Sequence, residues 1–535
     1  MDVIWIVWYS KRVANQEIGS NYHFFSTEGY IQPKKRRGDL IMSAIAGVYG
    51  VADPGTILDT MIERLKHRGP DDCGTYCCGE AALGHTRLSI LDVAGGKQPI
   101  FNEDSSACIV FNGKIYNYQK LREQLSNRHR FITNTDTEVI LHLFEDVGEE
   151  CVRHLDGMFS FAIYDDKRGL MLARDPLGIK PLYIAQDGDS LYFASEMKAL
   201  MDVVPDFDEF PAGHCYITGN GRNKYFSMPK GCSIPMTADE ARVGIRNYLE
   251  KAVVKRLMSD VPIGVFLSGG LDSSIIAAIA VKHKPGIHTF SVGMEDSEDR
   301  KYALMVSDYL GTEHHEKVYT LDDMLNALPD VIYYLESYDA ALVRSAVPNY
   351  FLAKLASQYV KVVLSGEGAD ELFSGYHYLK EINRSELNQE LLEITEALHN
   401  TNLQRCDRMT MAHGIEGRVP FLDVDLLRFS ATIPVDLKLG PDDTEKWILR
   451  EAFKGRLPDE IVYRRKSKFS EGAGSSLALS MVAEMEITDK EFECERELPD
   501  GHVLANKEEL MYYRIFQQFY PLDSAMSAIG FSRSL

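Results

Sequence analysis

The chain has 535 residues, 58 Lys+Arg against 79 Asp+Glu and a formal net charge of −21. At roughly 150 residues per domain it holds two to four domains, and 45% hydrophobic with 26% charged residues excludes a disordered or fibrous chain. So acidic a chain has no general grip on nucleic-acid phosphates or anionic lipid, so the expected partner is a small molecule, with neither nucleic acid nor membrane.

Residues 1–41 open with an apolar run from Val3 to Trp8 and end in Lys34-Lys35-Arg36-Arg37. The run is too short to span a bilayer and lacks the basic-first order of a signal peptide. This extension is expected to lie outside the fold. Ala44 to Tyr49 then reads as a strand, and Ile57, Leu58, Met61, Ile62 and Leu65 recur at helical spacing. Cys108 to Asn112 is strand-like, Tyr116 to Leu125 and Thr137 to Val147 helical, and Met158 to Tyr164 and Leu191 to Ala194 strands, giving a strand-rich α+β half over 42–228. Nine cysteines, an odd number without a CxxC pair, exclude a disulfide framework and fit a reducing cytoplasm. The one cluster, Cys73, Cys77 and Cys78, reads as small apolar residues near a sheet.

Turn formers between Pro229 and Pro235 mark a linker. Beyond it, over 237–535, a helix to about Leu257 precedes the apolar Val261 to Leu267, the loop Ser268-Gly-Gly-Leu-Asp-Ser-Ser274 and a helix over Ile275 to Lys282. Strands at Ile287 to Val292 and Val360 to Leu364 alternate with helices at Lys301 to Leu310 and Ala346 to Ser357, the pattern of a doubly wound parallel sheet. The remainder reads as helical, with irregular stretches at 467–475 and 499–506.

Two loops carry the chemistry. In Ser268 to Ser274, glycines where a buried strand meets a helix let backbone N–H groups approach a polyphosphate, and the helix N-terminus stabilises its charge. Asp272 would repel phosphate unless it holds Mg²⁺. The second loop, Ser365-Gly-Glu-Gly-Ala-Asp-Glu371, puts three carboxylates at the carboxyl edge of the sheet, where ligands bind. Acids decorating a helix start are the plain alternative, and pairing with the first loop weighs against it.

These loops, with Gly417 to Asp423 and Lys466 to Gly474, resemble the synthetase half of glutamine-dependent asparagine synthetases. His67 to Asp71, Gly84 to Asp92, Phe111 to Asn117, Asp136 to Glu138 and Ala173 to Tyr183 resemble that family's N-terminal-nucleophile glutaminase domain. The resemblance implies an αββα glutaminase-like domain and an ATP-pyrophosphatase domain with added helices, two sites joined by an internal passage, and aspartate activated by ATP as β-aspartyl-AMP before ammonia displaces AMP. It places Leu267, Ser268, Gly269, Gly270, Asp272, Ser273, Val292, Ser365 and Gly366 at ATP, Asp272 and Asp370 at Mg²⁺, and Arg344 and Lys466 at the phosphates. Glu367 takes the proton of the attacking ammonia or helps the intermediate form. For Lys466, in Arg464-Arg-Lys-Ser-Lys468, a solvated basic run is the alternative. Glutamine falls to Arg87, Leu88, Ser89, Ile90, Leu91, Asn112, Gly113, Lys114 and Asp136. A homodimer is a further arrangement left open.

Two residues depart from the family pattern. Its mature chains begin with a nucleophilic Cys, and here Ser43 takes that position, with a hydroxyl far less readily ionised than a thiol of pKa about 8.5. Where the family has Asn-Gly-Glu this chain has Asn112-Gly113-Lys114, a cation facing the glutamine α-ammonium and leaving Asp136 as the remaining anionic partner. The resemblance implies glutamine as nitrogen source, but with these two departures free ammonia is expected to be used more readily than glutamine. Two alternatives stay open: a relative amidating another carboxylate, and a non-catalytic regulatory protein.

Overall fold

The computed structural model describes residues 43–69, 72–87, 92, 95–231, 234–466 and 469–533; the 1–41 extension and Leu88 to Leu91 lie outside them. The first half is built from β1 (Ala44–Tyr49), β2 (Asp72–Cys78), β3 (Ala81–Arg87), β4 (Ile100–Phe101), β5 (Ala107–Ile115), β6 (Gly157–Asp165), β7 (Gly169–Arg174), β8 (Tyr183–Asp187), β9 (Ser190–Ala194), β10 (Asp208–Glu209), β11 (His214–Ile217) and β12 (Gly221–Lys224). They form two six-stranded antiparallel sheets, ordered β10-β8-β9-β1-β3-β2 and β12-β11-β7-β6-β5-β4.

Side-chain alternation explains the stacking. Ile45, Leu83 and Phe193 of the first sheet meet Val110, Ala162 and Leu172 of the second in one apolar layer. The opposite faces are apolar too. Ala44, Ala46 and Val48 pack on Leu58, Met61 and Ile62 of α1 (Pro54–Leu65), and Ile109, Phe111 and Phe161 pack on α2 (Tyr118–Leu125) and α3 (Asp136–Val147). This is the expected αββα stack. Covered on both sides, β1 and β5 read as continuous apolar runs rather than alternating ones.

An irregular connection follows β12, and α4 (Ala238–Arg256) opens the second half. Thr237 Oγ1 accepts the Glu240 N–H at 3.2 Å while the Glu240 carboxylate accepts the Thr237 N–H at 2.8 Å, a reciprocal cap. The strands β13 (Ile263–Phe266), β14 (His288–Gly293), β15 (Glu313–Val318), β16 (Val362–Leu364) and β17 (Glu416–Arg418) make a parallel sheet ordered β15-β14-β13-β16-β17. From β13 the chain builds outward to β15, then returns to lay β16 on the other side. The crevice between β13 and β16 is thus the topological switch point, and α5 (Leu271–His283) starts beside it.

Two local expectations change. β15, Glu-His-His-Glu-Lys-Val, is an edge strand with mostly polar, partly exposed residues, so it carries no apolar signal. The stretch 467–475, expected to be irregular, contains a short helix, Phe469–Gly472, and the start of another at Ser475.

The halves meet in a buried ionic network. Arg68 pairs with Glu196 at 2.6 Å and with Asp407 at 2.8 Å, Lys180 with Asp407 at 3.2 Å, Lys198 with Glu336 at 2.9 Å, and Arg408 with Glu336 at 2.8 Å. Asp407 and Arg408 sit on α6 (Asn402–Met411). No described helix is long and apolar enough to cross a membrane.

Candidate active sites

The two loops converge as β13 and β16 pair in register, Val265 opposite Leu364. Gly269 has φ +68°, and a Cβ there would lie 2.4 Å from the Tyr302 backbone, so the tight turn into α5 requires glycine. Gly366 lies against Asp272 and Ser273, where a Cβ would come within 3.0 Å of the Ser273 nitrogen. Within the first loop Ser274 Oγ donates to the Gly270 carbonyl at 2.7 Å, and Ser268 and Ser273 share a hydroxyl–hydroxyl bond at 3.1 Å.

A cavity of about 560 Å³ opens above these loops. Leu267, Ser268, Gly270, Asp272, Ser273, Val292, Ser365, Gly366, Glu367, Asp370 and Lys466 line it. Arg344 does not. Its Nε donates to the buried Glu508 carboxylate at 2.8 Å, while Ala341 and Ser345, within one helical turn of it, do line the cavity.

Cations and anions alternate at the floor. Lys446 Nζ bridges Asp272 at 2.6 Å and Asp370 at 2.7 Å, and Lys466 Nζ lies 2.8 Å from Asp370 and 3.8 Å from Asp272. Burial pushes the Asp370 carboxyl up, but the two lysines outweigh it and hold Asp370 well below the usual carboxylate range. Lys466 is correspondingly raised against its own burial by Asp370 and Asp272. Asp272 Oδ1 is buried without a hydrogen-bond partner. An orphaned carboxylate oxygen beside a second carboxylate fits a hard divalent cation such as Mg²⁺. Lys466 is part of the cavity wall, although it and Arg465 are also exposed to solvent.

Glu367 is ion-paired with Arg405 of α6, and Glu371 is bonded to the Tyr376 hydroxyl. Burial, with the charges of Asp370 and Glu367 adding to it, pushes the Glu371 carboxyl up to about 7. Lys446, Arg405 and Tyr376, together with Phe531 to Arg533 of the C-terminal tail, also line the cavity. Sequence reasoning missed all of these roles. Tyr376 closes the Ser365 loop motif and could have been found there; the others lie far away in the chain with no local pattern.

The second site is a pocket of about 50 Å³ lined by Ser43, Arg87, Asn112, Gly113, Lys114, Asp136, Lys180 and Glu416, among others. Arg87 donates to the Asp92 carbonyl at 2.8 Å. Lys114 is buried, and its Nζ lies 3.3 Å from Asp136 Oδ2, which also accepts the Ile115 N–H at 2.8 Å. Burial pushes the Lys114 ammonium down and Asp136 opposes it. Asp136, expected as the remaining anionic partner for glutamine, lies in the pocket wall beside Lys114. Glu416, at the start of β17, is a further carboxylate in the wall, but Arg418 binds it at 2.6 Å. The two sites share no lining residue, and α6 reaches toward both: Arg405 holds Glu367 in the larger, and Asp407 holds Lys180 in the smaller.

Residues 42–216 match the family model described as a glutamine amidotransferase domain, and residues 244–394 and 380–532 match that described as asparagine synthase. The chain is 41% identical to asparagine synthetase [glutamine-hydrolyzing] 2 of Arabidopsis thaliana, covering 91% of this chain and 89% of that one. It is 41% identical to asparagine synthetase [glutamine-hydrolyzing] of Triphysaria versicolor, with 90% and 87% covered. The nodule asparagine synthetase [glutamine-hydrolyzing] of Pisum sativum is likewise 41% identical, with 90% and 87% covered. With both halves matched and nearly its whole length aligned, the chain belongs to the asparagine synthetase family of enzymes.

Proposed function

We propose that this chain converts aspartate to asparagine with ATP, dividing the work between residues 237–535 and 42–228, and that it draws its nitrogen from ammonia more readily than from glutamine. The observation that carries the first part is the alternation of Asp272, Lys446, Asp370 and Lys466 at the switch point. A β-carboxylate oxygen of aspartate attacks the α-phosphorus of ATP, the bond to the pyrophosphate oxygen breaks, and β-aspartyl-AMP forms. Lys446 and Lys466 leave their carboxylates for the departing pyrophosphate, a charge that appears only as the bond breaks. Asp272 and Asp370 would hold Mg²⁺, which offsets the same charge. Ammonia then attacks the carbonyl carbon of the activated β-carboxyl group, the C–O bond to AMP breaks, and one ammonium proton passes to a carboxylate of the wall. Glu367 is the group assigned to accept it. Glu371, with its carboxyl near 7, stands behind as a proton reservoir.

The nitrogen preference rests on Ser43 and on the Lys114–Asp136 pair. A serine hydroxyl is the weaker nucleophile, and a lysine in the pocket both repels an α-ammonium and neutralises the carboxylate that would attract it. The test is ATP–PPi exchange with aspartate and with other acids, followed by amide formation from ammonia and from glutamine. Exchange with aspartate, and asparagine formed from ammonia at a far higher kcat/KM than from glutamine, is expected. Exchange supported only by another acid overturns the substrate, and equal use of glutamine overturns the nitrogen source.

A further inference from the structure

Neither cavity uses a group of four side chains at the far end of α3. Glu103 follows β4, His129 lies beyond α2, and His142 and Glu145 stand one turn apart on α3. One ligand atom from each lies within 4.8 Å of the others. His129 Nδ1 is 3.4 Å from Glu103 Oε1 and 3.6 Å from Glu145 Oε2, while His142 Nδ1 is 2.8 Å from Glu145 Oε2 and 3.7 Å from Glu103 Oε2. With zinc–ligand bonds of about 2.0–2.1 Å, a tetrahedron has edges of about 3.4 Å, so these spacings bracket one coordination shell.

The outer contacts point the same way. Each imidazole turns its Nδ1 to the centre; His129 Nε2 is hydrogen-bonded to Asp146 Oδ1 at 3.1 Å, whereas His142 Nε2, 3.5 Å from Glu138 Oε1, makes no hydrogen bond. His129 is thus held as metal-bound histidines are, the distant ring nitrogen bonded to a carboxylate that fixes tautomer and ring orientation. The inner carboxylates are anchored as well. Asn102 Nδ2 donates to Glu145 Oε1 at 2.8 Å, and the Arg130 N–H donates to Glu103 Oε1 at 2.9 Å. The two rings lie 4.5 Å apart at 25°, which brings both Nδ1 atoms to the same pair of carboxylates.

We propose that Glu103, His129, His142 and Glu145 form a closed four-ligand site for a divalent transition ion of the zinc class. All four positions come from protein, so the site is structural rather than catalytic. It ties α3, whose first residue is Asp136, to the loops after β4 and α2. The same helix carries Asp136 into the small pocket, so the ion would set where that carboxylate sits.

The test uses the full chain without a polyhistidine tag, stripped of metal and titrated with Zn²⁺ against a chromophoric chelator, and separately loaded with Co²⁺ for visible absorption. One equivalent of Zn²⁺ and the intense d–d bands of tetrahedral Co²⁺ are expected. Glu103→Gln, at a half-exposed side chain, and His129→Asn should each weaken Zn²⁺ binding at least about tenfold and abolish those bands, with the circular dichroism of the parent chain retained. Should His129→Asn fail to fold, Glu103→Gln decides alone. No uptake at micromolar Zn²⁺ would identify the cluster as histidines ion-paired with carboxylates and overturn the proposal. So would uptake unchanged in the variants, because the ion would then sit at Asp272 and Asp370 or at the other histidine group, His288, Glu313 and His315.

Discussion

Both cavities of this enzyme are lined by buried opposite charges, yet they use them differently. In the large one, Lys446 and Lys466 lie between Asp272 and Asp370 beside about 560 Å³ of space, and the proposed mechanism has a polyphosphate take the lysines while a cation takes the carboxylates. In the small one, of about 50 Å³, Lys114 lies 3.3 Å from Asp136 but its buried Nζ makes no hydrogen bond. A pair that an incoming ligand can exchange is a binding site. Under the proposed nitrogen preference, a ligand entering beside Lys114 and Asp136 would have to break that pair, and a buried charge left without a partner is costly.

The strongest way to break this comparison is to remove an exchangeable charge. Asp272→Ala and Glu367→Ala are each expected to lower asparagine formation at least about a hundredfold while the circular dichroism spectrum is retained, since both side chains lie on ligand loops. Near-parent turnover in either variant would take that residue out of the reaction. Next in size is the attempt to make the small pocket resemble the large one. Ser43→Cys with Lys114→Glu, in a chain begun at Met42 so that the nucleophile can carry a free amine, should raise glutamate release from glutamine by about tenfold or more over the parent begun at the same residue. Ser43→Cys alone should gain much less, since Lys114 still opposes the α-ammonium; an equal gain would show that the lysine is harmless.

A smaller effect concerns pH. Glu371 binds its proton up to about pH 7 in the folded chain and only to about 4.5 when unfolded. Its contribution to stability is therefore complete below about pH 4.5 and is lost as pH rises through 7, a change on the order of 3 kcal/mol. Glu371→Gln should flatten the fall in melting temperature across that window, and an unchanged slope would show that another group titrates there. Smallest is Thr237→Ala, which removes one half of the reciprocal cap on α4 and should cost about 1 kcal/mol in denaturant unfolding without altering either activity.

What was legible in the sequence follows from the range of each signal. The strands β1, β5, β13 and β16 and the glycine loops are local, and apolar runs with turn residues mark them to within a few positions. β15 was invisible because an edge strand needs no apolar face. The cavity's cations were legible only where they sat in a motif, as Lys466 does. Lys446 reaches Asp272 across 174 residues, and Arg405 reaches Glu367 across 38, so nothing near either marks its partner. Arg344 likewise has a partner no local pattern marks, Glu508, 164 residues away.

The ionic network at the junction bears on the history open to such a chain. Stripped of the first half, Asp407 would lose both Arg68 and Lys180, and Glu336 would lose Lys198, while Ala44, Leu58 and Met61 would vanish from an apolar cluster shared with Leu335, Tyr338 and Phe516. Breaking a single buried pair of this kind typically costs about 3–5 kcal/mol, as much as many whole domains can spare. A chain built this way is not free to lose its first half, whatever nitrogen source it uses: that half remains as the counter-charge on which the second half folds.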